Sequence, residues 1–266
     1  MKRHLTVLLT LSLVVLFSTT VWAQAPPSPK VRQSPVETPK RILFVGNSYL
    51  YYNDSLHNHV RGMVVAADPV SETSLQYKSA TIGGAPLAHH DIRHLLEPGH
   101  LGMKQPFEVV ILQDNSTSAL SESGRASFRE KVAEFNGEIT RRGAKTALYM
   151  THAHVKPSRL ASPDMIRKVE EMYVSVGNDV GVFVIPVGLA FEEAYRQRPD
   201  IKLHNDYDGS HPDLFGTYLA ACVVFASLYA KSPVGNAYDY HGKVDRDTAT
   251  FLQKVADETV RKFFGR

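Results

Sequence analysis

The stretch "RILFVGNSYL", residues 41–50, sets a short apolar run against a Gly-Asn-Ser turn. The apolar run, Ile42 to Val45, predicts a strand that is covered on both faces, as in a parallel sheet. The turn then ends on Ser48, where free N–H groups at the start of a helix can stabilise a developing negative charge. A serine that only caps the helix is the alternative interpretation. The stretch therefore predicts the first strand of the fold and a candidate nucleophile.

The same pattern of short apolar runs recurs along the chain. The predicted strands are 42–45, 75–80, 107–112, 146–150 and 182–187. Amphipathic stretches between them predict helices around 56–67, behind a possible cap at Asp54, and around 128–139, and two further helices near 213–231 and 245–264 close the chain. This alternation predicts an α/β fold in which a mainly parallel five-stranded sheet lies between layers of helices. Ligands of such sheets bind at the carboxyl ends of the strands, which is where Ser48 would lie.

The amino terminus predicts export. Residues 1–23 combine a basic start, an apolar stretch and small residues at a cleavage point, which is typical of a signal peptide; a retained membrane anchor is the alternative. Residues 24–40 carry five prolines and predict an extended, solvated linker. Residues 41–266 then form one domain. We expect the mature protein to be secreted or periplasmic, without a stable membrane anchor.

Composition excludes several classes of partner and fold. Removing Lys2 and Arg3 with residues 1–23 lowers the formal charge from +3 to +1, which argues against nucleic acid as a partner. Cys222 is the only cysteine, so the chain cannot form an internal disulfide. No Gly-x-Ser-x-Gly, phosphate-binding or dinucleotide motif occurs, and no cofactor is predicted. The sequence does not determine the oligomeric state.

A second chemical motif lies in "NDYDGSHPDLFGTYLA", residues 205–220. Asp208 and His211 stand three residues apart, directly before the helix predicted near 213–231. A nucleophilic serine needs a base whose pKa is near neutrality, and that base needs a carboxylate to hold its tautomer. Asp-x-x-His supplies both groups on one short segment. An exposed acidic turn that caps a helix is the alternative.

Four blocks in chain order resemble the SGNH (GDSL-type) hydrolases. These are "VGNSY" around Ser48, "ATIGGAP" around Gly84, "VVILQDNS" with Asn115, and "DGSHP" with Asp208 and His211. The resemblance covers most of residues 41–220 and implies a flavodoxin-like three-layer sandwich that hydrolyses esters, thioesters or amides. The chain departs from the family in two places: Asn47 stands where the family usually has aspartate, and residues 113–116 read Gln-Asp-Asn-Ser instead of Gly-x-Asn-Asp.

The resemblance implies a role for each of these positions. Ser48 would be the nucleophile, His211 the base and Asp208 the residue that orients it. The oxyanion hole would combine the backbone N–H of Ser48, the backbone N–H of Gly84 or Gly83, and the side-chain amide of Asn115 or Gln113. Two or three preorganised donors of this kind suit a tetrahedral oxyanion.

Histidine clusters offer a competing chemistry. The chain has 12 histidines, among them His89, His90 and His94, and a His-x-His pair formed by His152 and His154. Such a pair at a strand end is a frequent zinc-ligand spacing, but no His-Glu-x-x-His pattern accompanies it, so no metal is predicted. His152, His154 and Tyr49 are instead candidates for the substrate cleft, with ordinary packing or a solvated loop as the alternative.

These patterns together predict an exported serine esterase that forms an acyl-enzyme on Ser48. We expect a small-molecule or glycan ester as substrate, and O-acetyl groups on carbohydrate in particular. A lysophospholipase or thioesterase of the same fold is one alternative. A secreted glycan- or acyl-binding module without turnover is the other.

Overall fold

The computed structural model describes residues 27–266, so the predicted signal peptide, residues 1–23, lies outside the described part of the chain. Five parallel strands form one sheet: β1 (Arg41–Gly46), β2 (Gln76–Thr81), β3 (Val109–Leu112), β4 (Lys145–Tyr149) and β5 (Phe183–Ile185). The prediction of a mainly parallel five-stranded sheet is confirmed. Each strand matches a predicted apolar run, with ends shifted by a few residues.

Within residues 27–266, eight α-helices connect and flank these strands. They are α1 (Ser48–Tyr51), α2 (Leu56–Ala67), α3 (Ile92–Leu95), α4 (Glu122–Arg141), α5 (Met165–Val180), α6 (Val187–Gln197), α7 (Leu214–Tyr229) and α8 (Arg246–Phe264). The sequence patterns predicted α2, α4, α7 and α8. Val187 was predicted to end a strand, but it begins α6 because Pro186 interrupts the strand and N-caps this helix. The cap of α2 is Ser55 rather than Asp54, which lies one residue earlier.

Alternation along the strands separates two apolar layers. In β1, Ile42 and Phe44 face one core cluster, and Leu43 and Val45 face the other. The first cluster holds residues of α2, α6, α7 and α8, whereas the second holds residues of α3, α4 and α5. The sheet is therefore covered on both faces, which is why its strands read as continuous apolar runs.

Helix α7 lies at the centre of the first layer. All of its residues from Gly216 to Tyr229 are buried, because the helix contacts α2, α6 and α8 as well as β5. Its uniformly apolar composition is thus explained by burial inside the domain. Among residues 27–266, no helix is both long and apolar enough to cross a membrane.

Residues 27–40 contain no helix or strand, but they lie against the domain. Pro29 and Pro39 are buried, and Val31 and Val36 pack on the first core cluster. The carbonyl of Pro39 accepts a hydrogen bond from the buried Tyr229 hydroxyl at 2.7 Å. The described part of this segment therefore lies on the domain, since a few apolar side chains among the prolines suffice to hold it there.

The strand order β2-β1-β3-β4-β5 determines where a ligand would bind. The chain runs outward from β1 to β2 and then crosses back to β3, so the direction of winding reverses between β1 and β3. At such a point the loops after the two strands diverge and leave a crevice. Ser48 follows β1 and Asn115 follows β3, so both lie at this crevice.

Candidate active site

Ser48 begins a short helix directly behind β1. The side-chain oxygen of Asn47 caps this helix by accepting a hydrogen bond from the backbone N–H of Tyr49 at 3.2 Å. Because Ser48 is the first residue of α1, its own N–H has no acceptor inside the helix. Its Oγ lies 2.8 Å from Nε2 of His211. A hydroxyl, an imidazole and a free N–H therefore meet at the carboxyl end of β1.

A tight turn before α7 carries Asp208 and His211. Gly209 has a φ of +62° there, and a Cβ at this position would lie 2.2 Å from the carbonyl oxygen of Val155, so the turn requires glycine. Oδ1 of Asp208 accepts the backbone N–H groups of Ser210 at 2.8 Å and His211 at 3.1 Å. Its Oδ2 lies 2.5 Å from Nδ1 of His211. All three bonds hold the carboxylate in one orientation toward the imidazole.

The charge on Asp208 determines the tautomer of His211. Burial raises the pKa of the Asp208 carboxyl, but hydrogen bonds from His211 and Ser210 outweigh that effect and hold the pKa below its ordinary value. The group is therefore an anion at neutral pH and favours a proton on Nδ1 of His211. This tautomer leaves Nε2 free to accept a proton from Ser48, which is the arrangement that a general base requires.

Aromatic rings enclose the imidazole. Tyr52 stacks on His211 with the ring centroids 4.4 Å apart and the planes inclined by 14°. Tyr49 approaches the same ring edge-on at 5.7 Å. The Tyr52 hydroxyl lies 3.1 Å from the hydroxyl of the exposed Tyr207. These contacts restrict the rotation of His211 and thus help to keep its Nε2 directed at Ser48.

Tyr49 and His152 lie behind the turn that carries Asp208 and His211 rather than in the cleft. Both are buried, and their rings stack at 4.4 Å, while His152 stacks on Phe191 from its other face at 4.2 Å. The Tyr49 hydroxyl lies 2.8 Å from Oγ of Ser210, and Nε2 of His152 donates to the Ser210 carbonyl at 2.9 Å. This placement corrects the expectation that the two residues line the cleft. They support the turn that carries Asp208 and His211.

The environments of these two rings keep them uncharged. Burial raises the pKa of Tyr49 to about 12 and lowers the pKa of His152 well below its ordinary value. A neutral His152 suits its position between two aromatic rings, where a cation without a counter-ion would be costly. Tyr49 and His152, which support the turn of Asp208 and His211, therefore stay uncharged through pH changes around neutrality.

His154 remains a candidate for contact with substrate. Its Nε2 lies 3.0 Å from Oγ of Ser116 and 3.2 Å from Oγ of Ser210, and its Nδ1 lies 2.9 Å from Oγ of Ser158. The residue also borders a cavity of about 320 Å³ that Tyr195 helps to line. Burial lowers the pKa of His154. A second serine–histidine contact thus exists beside the first, but no carboxylate bonds its imidazole.

Asn115 links the second and third sequence blocks. Its Nδ2 donates to the carbonyl of Gly84 at 2.9 Å, and its Oδ1 accepts from the backbone N–H and the hydroxyl of Thr117. The amide orientation is thereby fixed, and one N–H of Asn115 remains free. Within residues 27–266 the N–H groups of Gly83 and Gly84 have no acceptor. This loop therefore supplies free donors of the kind that an oxyanion hole uses.

The amide of Gln113 is committed elsewhere. Gln113 is 0% exposed, its Oε1 accepts the backbone N–H of Asn47 at 2.9 Å, and its Nε2 donates to the carbonyl of Asp114. A Cβ on Gly46 would lie 2.3 Å from this Oε1, so glycine before the Asn-Ser pair makes the contact possible. The geometry therefore favours Asn115 over Gln113 as the side-chain donor.

Asn47 connects three of the four blocks. Its Nδ2 donates to the carbonyl of Ala85 at 3.0 Å and to that of Asp114 at 3.4 Å, while its Oδ1 caps α1. An ionised aspartate could not donate either bond, because a carboxylate is only an acceptor. The departure from the usual Gly-Asp-Ser thus has a structural reason: this site needs a buried donor between two carbonyl groups.

We expect Asn47→Asp to lower the free energy of unfolding at pH 7 by about 2–4 kcal/mol, since two buried carbonyls lose their donor and face a carboxylate. The pKa of the new buried acid would be raised, so the loss should shrink as the pH falls toward 4, where a protonated carboxyl can donate one bond. Urea unfolding at pH 7 and pH 4 measures both effects. Asn58→Asp, the same change at an exposed position of α2, is the control. Equal stabilities of the two variants at pH 7 would contradict the role of Asn47.

The other histidines lie outside this constellation. His90 donates from Nε2 to the carbonyl of Gly46 at 2.9 Å and so secures the end of β1, whereas His89 is exposed. In the described part of the chain, three metal-binding side chains converge only at His94, Glu97 and His100. His152 and His154, the pair with zinc-ligand spacing, do not belong to that group.

Comparisons with known proteins identify the fold. A protein of family DUF4886 from Bacteroides uniformis is 18% identical, with a TM-score of 0.62 over 82% of this chain and 93% of its own. A proposed SGNH hydrolase from Slackia heliotrinireducens is 20% identical, with a TM-score of 0.56 over 72% and 100% of the two chains. The acetyl xylan esterase AlAXEase is 14% identical, with a TM-score of 0.54 over 70% and 98%. The chain has the SGNH-hydrolase fold.

No protein-family model matches this SGNH-fold chain, and a search of curated proteins found no relative. These three structures are less than 25% identical to the chain, so they establish the architecture, whereas the roles of individual residues depend on the geometry of this chain. The structure brings together Ser48, Asp208 and His211, with Gly84 and Asn115 on adjacent loops of the same sheet edge.

Sequence patterns did not indicate two supporting contacts of this SGNH-fold site. Ser210 joins the catalytic turn to Tyr49 and His154 through its hydroxyl. Asn53 donates to the carbonyl of Pro212, next to His211, at 3.1 Å and to the hydroxyl of Thr217 at 2.8 Å. The only signal for Asn53 was the run Asn-Asp-Ser after α1, whose three residues all adopt positive φ.

Proposed function

We propose that the protein is a serine esterase that hydrolyses carboxylic esters through an acyl-enzyme on Ser48. The observation that carries this proposal is the continuous chain of hydrogen bonds from Ser48 Oγ to His211 Nε2 and from His211 Nδ1 to Asp208. These groups lie at the switch point of the sheet beside free N–H donors. Ester hydrolysis by a nucleophilic serine requires this set of groups and no cofactor.

The reaction would proceed in two halves. Oγ of Ser48 attacks the ester carbonyl while Nε2 of His211 takes its proton, and the oxyanion accepts hydrogen bonds from the N–H groups of Ser48, Gly84 and Asn115. The C–O bond to the alcohol then breaks, and His211 returns the proton to the leaving oxygen. In the second half His211 takes a proton from water, the resulting hydroxide attacks the acyl carbon, and the acid leaves as Ser48 regains its proton.

Burial of the nucleophile favours a small acyl group. Ser48 is 6% exposed, and Tyr49 and Tyr52 pack around its histidine. A groove of about 620 Å³ is lined by residues of α5, α6 and α8 together with residues 27–29, and none of these belongs to the Ser48 site. An acetyl group needs little space beside Ser48, whereas a long acyl chain needs an apolar channel that leads to it.

Exposed aromatic side chains favour a carbohydrate as the alcohol portion. Tyr51 is 43% and Tyr207 is 70% exposed, and both connect to the ring of Tyr52 that covers His211. Exposed aromatic groups beside a reactive centre suit the apolar faces of pyranose rings, while their hydroxyls can bond sugar hydroxyls. The fold likeness to an acetyl xylan esterase agrees with this substrate class. We therefore propose O-acetyl groups on carbohydrate as the substrate.

We expect the double change of Tyr51 and Tyr207 to alanine to lower kcat/KM for an acetylated xylo-oligosaccharide about tenfold, since each lost stacking contact is worth about 0.5–1.5 kcal/mol. Activity on nitrophenyl acetate, which lacks a sugar ring, should change less than about twofold, because the reacting groups are untouched. Val70→Ala, a change at an exposed apolar residue on the β1–β2 connection, is the control.

Equal loss on both substrates would contradict the carbohydrate proposal, because it would place the tyrosines in general support of the site. A preference for nitrophenyl octanoate over nitrophenyl acetate would overturn the small-acyl proposal and favour a lysophospholipase or thioesterase. Binding of the oligosaccharide without release of acetate would favour the binding module.

We also propose that the protein is exported. This proposal is supported by residues 1–23, whose basic start, apolar stretch and small residues match a signal peptide. Amino-terminal sequencing of the protein recovered from outside the cytoplasm should then begin close to residue 24. Recovery of a chain that still starts at Met1 would contradict cleavage.

A further inference from the structure

A group of three metal-binding side chains lies on the connection between β2 and β3. His94, Glu97 and His100 each offer one donor atom, and all three donor atoms lie within 4.8 Å of one another. Nδ1 of His94 is 4.0 Å and Nε2 of His100 is 3.5 Å from the same oxygen, Oε2 of Glu97. In a tetrahedral zinc site, bonds of about 2.0–2.1 Å separate neighbouring ligand atoms by about 3.4 Å. The observed spacing is therefore close to that of a zinc site before the ion is bound.

We propose that His94, Glu97 and His100 bind one Zn²⁺ ion. Two imidazole nitrogens and a carboxylate oxygen are a donor set that zinc accepts readily, with water in the fourth position. The side chains are partly exposed, at 61%, 51% and 34% respectively, so the ion can enter from solvent. This site is separate from the proposed chemistry of Ser48 and does not depend on it.

The backbone holds the three ligands in place. His94 lies on α3, whose Asp91 cap accepts the N–H of His94 at 3.1 Å, and the N–H of His100 donates to the carbonyl of Glu97 at 3.1 Å. Gly99 has a φ of +87°, which returns the chain toward Glu97. Because the ligands are already converged, binding costs little conformational entropy.

Apolar anchors on both sides of the ligands explain why they face outward. Ile92, Leu96 and Met103 are buried in the second core cluster, so the segment is fixed to the domain before His94 and after His100. The bound ion would join two turns of the β2–β3 connection, whose beginning carries Gly83 and Gly84. Zinc would therefore stabilise this connection by cross-linking its two turns.

Zinc binding is measured by isothermal titration of the metal-free chain, without a histidine tag, with Zn²⁺ at pH 7.5. We expect one ion per chain and a higher unfolding temperature in the presence of zinc. Removal of even an outer partner of a metal ligand typically costs about 10–100-fold in affinity, so His94→Ala and His100→Ala should each weaken binding by at least that factor. Affinity should also fall as the pH is lowered, because Zn²⁺ competes with protons for its ligands.

His89→Ala is the matched control, because His89 is an exposed histidine of the same connection that does not belong to the group. Its affinity for zinc should equal that of the parent. Co²⁺ bound to the parent should give the visible absorption of a tetrahedral site, and this absorption should disappear in Glu97→Gln. No binding at 100 µM Zn²⁺, or binding that persists in the His94→Ala and His100→Ala chains, would overturn the proposal.

Discussion

Ser48→Ala is expected to lower kcat/KM for nitrophenyl acetate by about 10⁴–10⁶-fold, the usual cost of removing a catalytic nucleophile. Within residues 27–266 the oxygen that is removed bonds His211 alone, at 2.8 Å, so the change deletes the proposed attacking atom and leaves the fold in place. The unfolding temperature should therefore stay close to that of the parent. Initial rates of nitrophenol release by the mature chain, with and without the change, measure the effect.

Ser116→Ala is the matched control for this experiment. Ser116 is another serine whose Oγ contacts an imidazole, that of His154 at 3.0 Å, but Nδ1 of His154 bonds a hydroxyl instead of a carboxylate. We expect Ser116→Ala to retain activity within about tenfold, because a base without an orienting anion is a weak catalyst. Full activity in Ser48→Ala, together with loss in Ser116→Ala, would transfer the nucleophile to Ser116. Activity that survives Ser48→Ala but is lost after treatment with a chelator would instead favour metal chemistry.

The sheet and the contact between Asp208 and His211 were predictable because both depend on short-range patterns. Strands covered on both faces read as apolar runs, so β1 could be located from Ile42 to Val45 alone. Asp208 and His211 are only three residues apart, and a glycine between them permits the tight turn that joins them. Chain topology then brings this turn to Ser48, since both lie at the same edge of the parallel sheet.

The supporting contacts were not predictable because they join side chains to distant backbone groups. Asn47 bonds carbonyls that are 38 and 67 residues away. The residues next to it in the sequence do not distinguish an asparagine that donates to distant carbonyls from an ordinary turn asparagine. The resemblance favours Asn115 over Gln113, but both side chains are amides that could donate. Burial separates them, because Gln113 is 0% exposed and bonds the backbone N–H of Asn47, whereas Asn115 lies at the crevice.

Tyr49 and His152 show a different limit of sequence analysis. Aromatic and imidazole rings near a candidate nucleophile suggest contact with substrate, yet the same rings pack equally well in a core. Tyr49 stacks on His152, which stacks on Phe191, and both residues bond Ser210 from behind the turn that carries Asp208 and His211. The direction in which a ring points depends on the register of β4 and the loop after it, which local patterns do not determine.

Asp208→Asn should lower kcat/KM by about 10⁴-fold, the typical cost of the wrong histidine tautomer. The backbone N–H groups of Ser210 and His211 both donate to Oδ1 of Asp208, so the amide oxygen of the variant must occupy that position. Its NH₂ group then faces Nδ1 of His211, which becomes an acceptor. The imidazole proton moves to Nε2, 2.8 Å from Ser48 Oγ, and the ring can no longer take the serine proton.

Asp206→Asn tests whether this loss is specific to the orienting carboxylate. Asp206 lies on the same segment, but its exposed side chain pairs with Lys202 at 2.6 Å and has no contact with His211. The Asp206→Asn variant should keep parental activity. The Asp208→Asn variant should fold normally, because its hydrogen bonds are exchanged rather than broken, but it should lose activity. A tenfold loss or less in Asp208→Asn would mean that the anion is not required for the tautomer, and the stacked ring of Tyr52 would then be the group that orients His211.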